Sequence, residues 1–133
     1  MKKTAKKFAA FIAAASVMIG SGTTQTFAGS SAQYNLGGAV IHASVTTGSD
    51  SATAETWTGY NGPYMTVSVT LRYQFGASYY RESNTGTPVT GVGNAAATRI
   101  ASRRPCVVLG AKGQHTASYN GGSWSTTTTV GEP

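Results

Sequence analysis

Few side chains in this sequence can act as acid, base or nucleophile near neutral pH: one thiol, Cys106, two imidazoles, His42 and His115, and four carboxylates, Asp50, Glu55, Glu82 and Glu132. A nucleophilic cysteine needs a base within hydrogen-bond reach and a third group to orient that base. His115 lies nine residues beyond Cys106 on the same extended run, roughly 30 Å away along a strand. The two cannot form a dyad, and Cys106, opening an apolar run after Pro105, reads as a buried, inert thiol, with an intermolecular disulfide as the alternative. His42 falls on the polar side of its run and His115 among apolar neighbours, so each reads as a hydrogen-bonded sheet histidine. One cysteine, two histidines and four acids with no ligand-like spacing give no basis for a metal cage, and no cofactor is expected. A glycosidase needs two carboxyl groups facing one cleft at about 5–9.5 Å. Asp50 and Glu55 flank one hairpin and Glu82 adjoins Arg81, positions that suit solvated turns. The expectation is a protein that is not an enzyme, with a small hydrolase as the weakest alternative.

Binding chemistry is better represented. Arg99, Arg103 and Arg104 gather three cations within six residues. They suit contact with an anionic polymer, or simply a solvated loop. Trp57, Tyr60 and Tyr64 surround the turn Asn61-Gly62-Pro63. Rings at a loop tip combine large contact area with a polar handle and stack well on sugars or a protein partner. In the competing reading they plug the open end of a small β domain.

The elements that must position these groups follow from periodicity. From Met65 to Phe75 every odd residue is apolar or aromatic and every even one polar, the period-two signature of a strand with one face on a core. Cys106 to Tyr119 reads as a second long strand, with Val107, Leu109, Ala111, Gly113, His115, Ala117 and Tyr119 on one side. Asn120-Gly121-Gly122 then turns the chain into Ser123–Val130, where Trp124, Thr126, Thr128 and Val130 share a phase. Residues 39–46 and 51–58 pair as a hairpin across Thr47-Gly48-Ser49-Asp50. The stretch from Arg81 to Gly93 reads as an exposed connection with a short strand near Val89. Residues 94–104 read as a strand in preference to a short helix capped by Asn94.

The net charge of +6 looks like a binding feature until it is located. Lys2, Lys3, Lys6 and Lys7 precede the apolar run Phe8–Ile19, and a polar stretch then ends at Thr26-Phe27-Ala28. That is the layout of a helical signal peptide over residues 1–28, cleaved after Ala28, with Ala32 as second choice. The run is shorter than the ~20 residues a spanning helix needs, so no stable membrane span should survive cleavage. Residues 29–133 then carry six cations against four acids, too weak a balance for nucleic acid. Of those 105 residues 28 are Ser or Thr, a composition suited to pleated sheets rather than helical bundles.

The expected fold is all-β: a small antiparallel β-sandwich of six or seven strands, immunoglobulin-like or a related Greek key, over residues 29–133. The expected role is that of a secreted, non-catalytic binding module for cell-wall polymer, polysaccharide or a surface protein. A bacteriocin-like or toxin-like effector is the alternative from another class.

Overall fold

The computed structural model describes residues 29–131; the expected export segment 1–28, with its cleavage residue Ala28, lies outside the described residues, as do Glu132 and Pro133. All regular elements of the described chain are strands, arranged in two antiparallel sheets. The first sheet contains β1 (Gly29–Leu36), β2 (Ala39–Thr47), β3 (Ser51–Thr58) and β7 (Gly93–Ile100), in the order β1-β2-β3-β7. The second contains β4 (Tyr64–Phe75), β5 (Ser78–Thr85), β8 (Val107–Tyr119) and β9 (Gly122–Gly131), in the order β9-β8-β4-β5. The two-residue β6 (Val89–Thr90) pairs with the start of β4.

The period-two pattern of β4 is realised directly. Met65, Val67, Val69, Leu71 and Tyr73 are each no more than 1% exposed, while Thr66, Ser68, Thr70, Arg72 and Gln74 line the opposite side. Burying each large apolar side chain stabilises by about 1.5–3 kcal/mol, so this strand anchors the core. Ala52 and Ala54 of β3 and Ala95 and Ala97 of β7 face it from the first sheet, while Ile41 and Val45 of β2 join the same core opposite β8 and β9. The alanines let the two sheets approach closely over the bulkier β4 side chains. The buried Tyr73 hydroxyl is satisfied by Glu82 Oε2 at 2.7 Å.

The hairpin of β2 and β3 and that of β8 and β9 form as their turns dictate. Asn120 (φ 51°) and Gly121 (φ 82°) supply the left-handed pair that a two-residue turn requires. The expected strand over residues 94–104 is realised as Gly93–Ile100, and residues 101–104 lie in the turn that follows it.

Three expectations need correction. The described chain has nine strands rather than six or seven, and β1 was not anticipated. Much of the connection expected from Arg81 onward is β5, an edge strand whose inward side carries Tyr80 and Glu82 in place of an apolar series. Such a side gives no alternating hydrophobic signal. In β8 the expected phase holds for Ala111, Gly113, His115 and Ala117 but not before them: the register against β4 shifts between Arg72 and Tyr73, which pair with Gly110 and Val108. The extra residue, Leu109, reverses the alternation, so Val108 is buried and Val107 is 51% exposed.

Candidate functional site

The residues singled out by type sit in separate environments. Arg99 and Arg103 converge on Glu82, at 3.1 Å and 3.3 Å, and Arg104 reaches Asp50 at 3.4 Å. Glu82 also accepts from the Ser102 N–H at 3.0 Å and the Ser102 hydroxyl at 2.5 Å. Burial raises the pKa of this carboxyl, but the hydrogen bonds from Ser102, Tyr73 and Arg99 outweigh it and bring it down to about 2. Arg103 additionally lies 4.2 Å from the centroid of the Tyr80 ring. Arg99 and Arg103 thus tie β7 and the turn after it to Glu82 of β5, while Arg104 ties the same turn to Asp50 in the turn between β2 and β3.

His115 is 1% exposed and lies between the sheets. Its Nδ1 is 2.9 Å from Thr56 Oγ1 and its Nε2 is 2.9 Å from Thr128 Oγ1. Thr56 spends its single hydroxyl proton on the Thr66 carbonyl at 3.0 Å, so toward the ring it can only accept. The network therefore assigns a neutral imidazole with its proton on Nδ1 and Nε2 accepting from Thr128. Gly113 makes room for it, since a Cβ there would stand 2.7 Å from Nε2 and 2.8 Å from Thr128 Oγ1. Burial lowers the imidazole pKa to about 4 despite a backbone hydrogen bond at Glu55. Both nitrogens are occupied, which leaves this histidine structural.

Cys106 is a free, half-buried thiol packed against the core, and burial pushes its pKa up. A neutral thiol is a poor nucleophile. Among the described residues no three of His, Cys, Asp or Glu gather where they could hold a metal ion.

The aromatic trio is divided by the turn that joins the sheets. Tyr64, the first residue of β4, points to the outer face of the second sheet beside Ser118 and Thr90. Tyr60 lies in the turn, its N–H bonded to Thr58 Oγ1 at 3.2 Å. Trp57 stands on the outer face of the first sheet, 40% exposed. There it meets His42, which the sequence presents as a hydrogen-bonded sheet histidine and does not join to the aromatic trio. His42 is directly opposite on β2, and the two rings stack with centroids 4.0 Å apart and planes 10° apart. Burial lowers the His42 pKa, so this imidazole is neutral at pH 7.

The row continues across all four strands. Gln33 on β1 is opposite His42, and Asn94 on β7 is opposite Trp57. The next row on that face is Ser31, Ser44, Glu55 and Ala96. An aromatic stack flanked by two amides, with a carboxylate and hydroxyls about 7 Å along the strands, can grip a flat ligand by its face and hydrogen-bond its edge. The signal for His42 was present in the sequence: folding the expected hairpin about Gly48–Asp50 puts residue 42 across from residue 57. Gln33 and Asn94 had none, because β1 and the pairing of β7 with β3 were not legible.

The outer face of the second sheet is chemically different. It holds an open depression of ≈ 540 Å³ bordered by Thr66, Ser68, Gln114, Thr116, Ser125 and Thr127. Two of its hydroxyls, those of Thr66 and Thr116, bond each other at 2.5 Å, and Ser68 donates to Gln114 Oε1 at 3.5 Å. No family model, curated protein or solved structure matches the chain.

Proposed function

We propose that the chain is an exported, non-catalytic binding module that docks a neutral polysaccharide on the outer face of its first sheet. The observation that carries this reading is the Trp57–His42 stack set in one cross-strand row with Gln33 and Asn94. Sugar rings offer an apolar face to an aromatic platform and hydroxyls to amide groups. Glu55 is the one charged side chain among the outward strand residues of that face, which favours neutral over phosphate-bearing polymers. The arginines of the 99–104 segment, bonded to Glu82 and Asp50, are less suited to anion contact than their spacing suggests.

The proposed architecture is a two-layer β-sandwich of immunoglobulin-like connection. In support, β4, β5, β8 and β9 run in the order of strands C, C′, F and G, and β2, β3 and β7 in that of A, B and E. Export rests on the layout of residues 1–28. Cleavage after Ala28 leaves the whole β1 ladder, from Gly29 opposite Thr46 to Leu36 opposite Ala39, whereas cleavage after Ala32 would remove half of it.

The test is titration of the purified protein with a β-glucan, an α-glucan, a xylan and a phosphate-bearing wall polymer, followed by tryptophan fluorescence. A neutral polymer should shift the wild-type emission, and Trp57→Ala should abolish binding while retaining a cooperative melt. Equal binding by Trp57→Ala, or binding confined to the phosphate-bearing polymer, would overturn the proposal.

A further inference from the structure

The lateral edges of the two sheets are not alike. On one side, the end of β5 and the segment after it lie against β7: Asn84 Nδ2 of β5 donates to the Thr98 carbonyl at 2.8 Å. Gly86 lies so close that a Cβ there would stand 2.2 Å from the Ala96 carbonyl oxygen. The neighbouring edge strand, β5, carries Arg81 and Glu82. Cover and charge are the means by which natural sheets prevent stray strand pairing.

On the other side Tyr34 of β1 and Trp124 of β9 stack across the gap between the sheets, with centroids 5.5 Å apart and planes 4° apart. The whole of β9 is ten residues, GSWSTTTTVG, with no charge and no proline. Among the described residues nothing pairs with its outer edge. A long uncharged edge presents a row of N–H and C=O groups to any strand that matches it.

We propose that β9 is the pairing edge of a two-fold homodimer, lying antiparallel to β9 of a second copy with Thr127 at the axis. The sequence favours a second copy as occupant because Ser125-Thr126-Thr127-Thr128-Thr129 reads nearly the same in both directions. A two-fold axis then sets Thr127 against its counterpart and Ser125 against Thr129, with no like charges opposed. Cross-strand hydroxyl pairs of this kind already stabilise the protomer, at Thr53–Thr98 (2.9 Å) and Thr70–Ser83 (2.8 Å). The interface is isologous and closes on itself, which uses up the exposed edge.

An axis perpendicular to the second sheet keeps its outer faces on one side of the dimer and both Trp57 faces on the other. One polymer chain can then engage two platforms, and the second contact benefits from high effective concentration. That consequence rests on the proposed polysaccharide binding; the dimer does not.

The experiment is analytical ultracentrifugation of the purified protein, produced from the full chain, from micromolar to near-millimolar concentration. A concentration-dependent monomer–dimer equilibrium is expected. Thr127→Lys and Thr127→Glu, each checked for a native melt, should weaken it by about tenfold or more through like charges meeting at the axis. An equimolar mixture of the two should restore the dimer. A monomer at every concentration, larger open assemblies, or a dimer indifferent to both substitutions would overturn the proposal. Trp57→Ala should dimerise normally, which separates failure of this interface from failure of the binding face.

Discussion

Mild acid should destabilise this fold, because His115 is held neutral in the core. Its pKa stands at about 4 against an ordinary 6.5, so between those values the unfolded chain binds a proton that the folded chain refuses. Unfolding is therefore favoured as pH falls. The stability present above pH 6.5 declines through this window and is fully lost below pH 4. A separation of about 2.5 units corresponds to about 3 kcal/mol, with a limiting slope of about 1.4 kcal/mol per pH unit. For a domain of this size that is a large share of a typical 5–15 kcal/mol. The assay is urea unfolding, followed by circular dichroism at half-unit steps from pH 7.5 to 4, for wild type, His115→Gln and His42→Asn. Loss of the Thr56 and Thr128 partners lowers the absolute stability of His115→Gln, but its slope between pH 6.5 and 4 should flatten. His42 contributes with the same sign, since burial lowers its pKa too, and His42→Asn removes that part. A wild-type stability that stays level from pH 6.5 to 4.5, or a slope unchanged in His115→Gln, would refute the assignment of a buried neutral imidazole.

The other predictions concern separate parts of the molecule. Glu82→Gln should destabilise by about 2 kcal/mol at pH 7 by leaving Arg99, Arg103 and the Tyr73 hydroxyl short of their acceptor. With its pKa at about 2 against 4.5, its contribution is complete above pH 4.5 and is lost as pH falls toward 2, a step that unfolding curves of the variant should lack. Gly86→Ala should cost about 1–3 kcal/mol, read as a lowered melting temperature, because its Cβ would overlap the Ala96 carbonyl. N-terminal sequencing of the exported protein should return Gly29; a start at Gln33 would mean that the β1 ladder is half removed.

The sequence was most informative where one face is buried and the other is wet. The β4 alternation was legible because every inward residue is apolar and every outward one polar. The β8 phase failed at its start because a bulge is a property of two strands and cannot be read from one. β5 was hidden because its inward side holds one ring, Tyr80 on Tyr73, and the Glu82–arginine lock in place of an alternating apolar series. Proximity along the chain is also a poor guide to the candidate site residues. Three neighbouring arginines found acids far away in sequence, while Trp57 gained its partner His42 from across a hairpin. Residue type identified the tryptophan; only strand pairing could identify its row.

The order of the strands also affects how the chain acquires its structure. The hairpins β1–β2–β3, β4–β5 and β8–β9 join near neighbours, but the centre of the second sheet is sealed by pairing such as Thr66 with Thr116, and the first sheet by Ala54 with Ala97. These long loops must close before the core gains its burial, which puts the domain among topologies that fold in milliseconds to seconds rather than microseconds. On the proposed export route, in which the chain crosses the membrane as an extended thread, that delay is useful: the rigid body waits until β8 has emerged to join β4.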